Sequence, residues 1–211
     1  MKTKKAINVK AILYIVVLVG FALFLLYYRF FLRFDPTFEV NGKEFGIKVY
    51  VRELEEKGMC LCQYDGTLVD TAAEKMDAQT VYISSLLVAV KNGDSVDKTG
   101  LRVTLVNTEK RAMPYKDCQI RTIGYLVGNQ SENVTVKICG QDFSKATGSN
   151  IKSLLKETKI PIKESAVDQY LKGKTTEASG KRGDMKAVLS KIDGKLNLTF
   201  YRGDIKIKFG K

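Results

Sequence analysis

The stretch "GLRVTLVN", residues 100–107, alternates the apolar side chains Leu101, Val103 and Leu105 with the polar Arg102 and Thr104. Successive side chains of a strand point to opposite faces, so a period of two predicts a strand with one face in a core and the other wet. Strands of a parallel sheet read instead as continuous apolar runs, because helices cover both faces. The segment therefore predicts an antiparallel sheet with one open side.

The flanking text agrees with that period. In "TFEVNGKEFGI", residues 37–47, Phe38 and Val40 stand on one side of Asn41-Gly42 and Phe45 and Ile47 on the other, the pattern of a hairpin. "VRELEEKG" reads as a short helix stopped by Gly58. "QTVYISSLLVAVKNG", "KDCQIRTIGYL" and "VTVKICG" add strands, joined by the loops "NGDSVDKTG" and "TEKRAMPY", while residues 68–79 fit either a short helix or an irregular loop. "TGSNIKSLLKETKIP", residues 147–161, predicts a helix capped by Ser149 or Thr147, apolar at Ile151, Leu154 and Leu155, and closed by Pro161. A polar segment over 172–183 precedes "KAVLSKIDGKLNLTFYRGDIKIKFG", where turns at Asp193-Gly194 and Gly203-Asp204 predict a meander of three strands. The expected fold is α+β, rich in antiparallel sheet, with two related halves over 37–129 and 133–211.

Before these halves lies "AILYIVVLVGFALFLLYY", residues 11–28, without a single charge. At ~1.5 Å per residue it covers most of a hydrocarbon core of ~30 Å. Phe30, Phe31 and Leu32 extend it beyond Arg29, whose long side chain snorkels to the interface. The run has no polar stripe, which disfavours a buried core helix. A cleavable signal peptide competes through the small residues Gly20 and Ala22, yet the chain stays apolar after them and no lipobox cysteine follows. The reading is an uncleaved single-pass signal-anchor over 11–32. Lys2, Lys4, Lys5 and Lys10 precede it and Arg29 and Arg33 follow, so residues 1–10 form a cytoplasmic basic tail and the chain beyond Asp35 is extracytoplasmic.

Outside the cytoplasm Cys60, Cys62, Cys118 and Cys139 meet a compartment where disulfides form, and an even count fits one or two bridges or buried free thiols. Cys60 and Cys62 share a strand face too far apart to pair comfortably with each other. They lack the second C-x-x-C or histidine of a zinc site. The absence of histidine from the whole chain removes Ser-His-Asp, Cys-His and zinc-hydrolase mechanisms together.

The segment "FEVNGKEFGIKVYVRELEEKG" resembles the opening of extracytoplasmic domains in poorly characterised surface proteins of clostridia-like bacteria, where a G-K-x-(F/Y) hairpin precedes a short helix and a glycine. "DFSKATGSNIKSLLKETKIP", followed by Tyr170, is similar to their second half and to modules of the BamE and β-lactamase-inhibitor-protein type, with Thr158 standing where glycine is usual. The resemblance implies a binding or scaffolding module and transfers no catalytic residue.

Penicillin-recognising serine enzymes use S-x-x-K, then S-x-N, then K-T-G. Here Ser153-x-x-Lys156 or Ser149-x-x-Lys152, Ser131-Glu-Asn133 and Lys98-Thr-Gly100 occur in the reverse order, the last expected in a loop. The Arg-Gly-Asp tripeptides at 182–184 and 202–204 read as turns, and Glu53, Glu55 and Glu56 as a solvated helix face. Asn129, Asn133 and Asn197 head glycosylation triplets, meaningful only in a eukaryotic secretory pathway. No cofactor motif is legible, and location disfavours nucleic acid.

The expected function is a membrane-anchored extracytoplasmic binding or scaffolding module of a bacterial envelope, with no enzymatic activity; the alternative is an unrecognised envelope hydrolase. Its expected partners are the bilayer through 11–32 and an envelope protein or anionic wall polymer. Of the net charge of +12, Lys2, Lys4, Lys5, Lys10, Arg29 and Arg33 supply half before the first acid, Asp35. In the remainder "DIKIKFGK" alternates Ile205, Ile207 and Phe209 with Lys206 and Lys208. These two lysines, with Lys195 and Arg202, form the expected anionic-surface contact, against the plainer reading of an edge strand kept soluble by lysines.

Overall fold

A computed structural model describes residues 9–28, 33–93 and 95–205. Helix α1 spans Val9–Tyr27, followed by the hairpin β1 (Thr37–Val40) and β2 (Lys43–Gly46), helix α2 (Val51–Glu56) and strands β3 (Met59–Cys62), β4 (Lys75–Met76), β5 (Leu86–Asn92) and β6 (Ser95–Val106). Strands β7 (Met113–Pro114), β8 (Gln119–Gln130), β9 (Val136–Ile138) and β10 (Gln141–Asp142) come next, then helices α3 (Ile151–Glu157) and α4 (Glu164–Leu171). The chain returns through β11 (Ala178–Arg182), β12 (Met185–Ile192) and β13 (Lys195–Arg202). The fold is α+β with antiparallel sheets, as the alternation predicts: four strands in the order β10-β9-β1-β2, seven in the order β11-β12-β13-β8-β6-β5-β3, and the pair β4-β7.

Strands from before and after residue 130 meet in both larger sheets. In the small one β1 pairs with β9 through Phe38↔Ile138, Glu39↔Lys137 and Val40↔Val136. Shifting β1 by the 98 positions that separate Glu39 from Lys137 returns the same three pairs, so the two hairpins meet about a local two-fold, bridged by Lys137 Nζ and Glu39 Oε1 at 2.8 Å. Their turns match: Asn41 and Gly42 have φ of 48° and 81°, Cys139 and Gly140 49° and 80°. Positive φ at both central positions gives a turn twist that suits the strands, and glycine accepts it without strain. Three residues past each glycine, Phe45 and Phe143 are buried.

One core cluster joins these hairpins to the large sheet and to α2, α3 and α4. Leu101, Val103 and Leu105 enter it with no exposed surface, whereas Arg102 and Thr104 lie on the opposite face. Phe38 bridges the sheets, stacking on Phe45 at 5.7 Å and meeting Phe200 edge-on at 5.5 Å.

Several sequence expectations are corrected. The meander consists of β11, β12 and β13, because the polar text of 178–182 pairs fully with β12; the expected last strand, with Lys206 and Lys208, lies outside the described residues, as do Lys2, Lys4, Lys5 and Arg29. Lys98-Thr-Gly100 sits inside β6, at a register shift with Gly100 at φ 75°, and is not a loop. The first position of α3 follows Asn150, not Ser149, and α4 appears where no helix was expected. Helix α1 has 19 residues, roughly 28 Å at ~1.5 Å each. Among the described residues no helix is long and apolar enough to cross a membrane, and the expected extension through Phe30, Phe31 and Leu32 lies outside them.

The tightest backbone approach is at Gly180, where a β-carbon would stand 1.4 Å from the Pro161 carbonyl oxygen. The α3–α4 link therefore presses directly on β11. Gly180→Ala is expected to cost about 2–3 kcal/mol, the upper part of the overpacking range, seen as a lower denaturant midpoint with unchanged slope.

Candidate functional site

Every strand of the seven-stranded sheet turns one set of side chains away from the core. One cross-strand row runs over all seven strands as Ser179, Val188, Thr199, Gly124, Arg102, Leu87 and Cys62. The next row holds Lys181, Lys186, Tyr201, Thr122 and Thr104, with the Thr104 and Thr122 hydroxyls 2.7 Å apart. The buried residues of α2, α3 and α4 belong to the core cluster on the other side, so these helices do not pack on this face, where Cys62, Leu87, Gly124 and Val188 are nonetheless buried and Ser179 is exposed.

Arg102 sits near the middle of the sheet, between Leu87 and Gly124. Its Nη2 donates to Asn197 Oδ1 at 2.8 Å, while Nε is buried without a partner. Burial lowers its pKa from the ordinary value, with Tyr64, Asp193 and Tyr201 opposing the shift. Guanidinium nonetheless stays charged in proteins. Asn197 is oriented for this contact because its amide donates to Thr199 Oγ1 at 2.8 Å and Ser190 Oγ at 3.3 Å, leaving the carbonyl to the guanidinium. The expected glycosylation acceptor is thus 3% exposed and engaged. Gly124, beside Arg102, is itself buried, and a β-carbon there would stand 3.1 Å from Thr199 Oγ1 and 3.5 Å from Asn197 Oδ1, so glycine makes room for the Asn197 contact; exposed Tyr64 and Tyr201 stand nearby. Neither row contains a carboxylate. The arrangement can donate hydrogen bonds to a negatively charged group; it holds no nucleophile beside a base.

The expected anionic contact is not assembled among the described residues. Arg202 is turned inward: Nε and Nη2 grip Asp204 at 3.1 and 3.0 Å, and Nη1 donates to Gln119 Oε1 and the Ile120 carbonyl. This pairing holds the Asp204 carboxyl below the usual carboxylate range. Gly203 N donates to Asp184 O at 2.6 Å, so the two Arg-Gly-Asp turns tie the sheet end together. Lys195 remains exposed, its Nζ 3.5 Å from the Gly128 carbonyl.

All four cysteines are free. Cys60 and Cys62 lie on the outer face of β3 in a small cluster with Leu87 and Ala89, whereas Cys118 belongs to the main core, so the sheet separates them. The serine–lysine motif is engaged elsewhere: Ser153 Oγ donates to Glu157 Oε1 at 3.0 Å, and Lys156 Nζ faces Glu164 at 3.7 Å. Ser131 and Lys98 instead bond each other at the end of β6 and β8. Asn197 and Gly124 were missed as site residues. The trace they left is a buried-type register with an amide and a glycine at its open-face positions.

No family model matches the chain, and no curated protein or solved structure matches it.

Two outcomes follow from these geometries. Burial raises the thiols of Cys60, Cys62 and Cys139, and pushes Cys118 up to about 11. The unfolded chain loses these protons near pH ~8.5 while the folded chain keeps them, so stability present below that pH falls as it rises towards the folded values. Denaturant midpoints should decline through this window, and a chain with Cys118→Ala should decline less. A fluorescent penicillin should leave the protein unlabelled, and Ser153→Ala should change the midpoint by no more than about 0.5 kcal/mol; covalent labelling at Ser153 overturns the structural role given to it.

Proposed function

We propose that the protein is a single-pass, membrane-anchored extracytoplasmic binding module without catalytic activity, whose ligand surface is the open face of the seven-stranded sheet around Arg102. The anchor rests on the uncharged run of residues 11–28 behind four lysines, on the exposure of its large apolar side chains from Ile12 to Tyr27, and on an extension of α1 through residues 29–32, which lie outside the described residues. The resemblance of the hairpin and capped-helix segments to poorly characterised extracytoplasmic surface proteins, which implies a binding or scaffolding module, is in keeping with this reading.

The observation that carries the binding site is the half-partnered guanidinium. A buried charge with an unmatched hydrogen-bonding group is costly, and a fold under no other demand replaces it with an apolar side chain. Its unmatched Nε, beside cross-strand rows that carry no carboxylate and with Asp193 acting on the guanidinium from the β12–β13 turn, supports a protein partner that brings a further carboxylate to it.

A photo-crosslinking residue in place of Thr104 or Tyr201 tests this in intact cells. A discrete product is expected from both positions and not from Glu56, on the exposed side of α2. Arg102→Leu should retain or raise the unfolding midpoint while weakening the crosslink about tenfold or more, the scale of a lost charged hydrogen bond. Equal crosslinking from Glu56, or a crosslink indifferent to Arg102→Leu, overturns the site. Protease added to wall-stripped cells should digest the chain beyond Pro36, and its protection overturns the topology.

A further inference from the structure

We infer a second site, for a phosphate group, in the cleft of ≈ 230 Å³ where α3, α4 and β11 meet. Four cations, Lys152, Lys156, Lys159 and Arg182, line it above an apolar floor that includes Ile160 and Ile162. Two of them are already paired: Lys152 Nζ lies 2.8 Å from Asp168 and Lys156 Nζ 3.7 Å from Glu164, ties that hold α3 against α4. Among the described residues Lys159 and Arg182 have no acidic partner. The cleft therefore keeps two uncompensated positive charges facing one small space. Its volume is below that of a drug-sized pocket and suits a compact anionic group.

The backbone beneath both cations is fixed. Lys159 has φ 55°, the left-handed conformation just beyond a helix end where glycine is the usual residue. A lysine held there keeps a backbone strain that glycine removes, and such strain clusters at ligand clamps. Arg182 lies two residues along β11 from Gly180, on the same strand face, and Gly180 locks that strand against Pro161. At the far wall α4 begins with Glu164, and no side chain caps its N-terminus. Arg182 supplies a planar fork for two phosphate oxygens and Lys159 a point charge, the two complementary ways of binding phosphate. Ile160 and Ile162 offer surface to the carbons of an attached polyol. The ligand class is a phosphate ester of a short polyol, whether in a glycerophospholipid headgroup or in a soluble polyol phosphate.

The test uses the full chain in neutral detergent micelles, titrated calorimetrically with inorganic phosphate, with glycerol 3-phosphate and with glycerol. Glycerol 3-phosphate should bind, glycerol should not, and added salt should weaken binding. Arg182→Ala should weaken it at least tenfold and Arg182→Lys less, with Lys110→Ala unchanged. Lys159→Gly is the decisive variant, expected to unfold at a higher midpoint than the parent while losing at least fivefold in affinity. Doping the micelles with phosphatidylglycerol separates the sources: loss of the glycerol phosphate isotherm assigns the site to a headgroup, and its persistence to a soluble polyol phosphate. Unchanged affinity in Lys159→Gly and Arg182→Ala, or equal heats from glycerol, overturns the site. Neither variant touches Arg102 or its face, so failure here is distinguishable from failure of the sheet-face reading.

Discussion

The pairing of β8 with β13 holds the architecture together. Five register pairs, from Thr122↔Tyr201 to Leu126↔Asn197, weld a strand from before residue 130 to one from near the end of the described chain. On its other side β8 pairs with β6, so this one strand is the shared wall of both meanders. Its alternation sends Ile123 and Tyr125 into the core and presents Thr122 and Gly124 to the open face. Because a slip of one residue would exchange those faces, the register that seals the core also sets the Arg102 neighbourhood. Core and candidate site share a single constraint.

How much of this was legible depended on whether local chemistry and tertiary context agreed. The Asn41-Gly42 hairpin, α2 with its stop at Gly58, and the faces of Leu101, Arg102 and Val103 could be read because turn geometry and period leave few alternatives. Strand β11 could not: "ASGKR" has little β propensity, and it is a strand because β12 pairs with it and Pro161 covers Gly180. Helix α4 was hidden for a related reason, burying Val167 and Tyr170 among otherwise polar residues.

Arg202 shows the opposite failure. Its place beside a turn and among lysines suggested a solvated cation, yet its side chain is 7% exposed and closes on Asp204, Gln119 and Ile120. Alternation gives the face of a residue, but the reach of a long side chain is fixed by what lies at the strand end. The same applies in reverse to Lys159, whose importance comes from a backbone angle that no composition or period encodes.

Where a sequence departs from its own local rules, the departure is informative, because a consistent sequence folds more readily than a conflicted one. Two such departures carry a cation: a part-buried guanidinium whose Nε is unmatched on the outer sheet face, and a lysine where a helix end favours glycine. Both place positive charge: Asn197 Oδ1 accepts from the first, and the second stands exposed on a backbone held at φ 55° at the end of α3. A surface kept basic merely for solubility needs neither burial nor strain, since exposed lysines on mobile stems supply the same charge freely. Gln79 and Cys139 share the left-handed backbone and Tyr170 the unmatched polar atom, so what sets Arg102 and Lys159 apart is the charge that each places at its position.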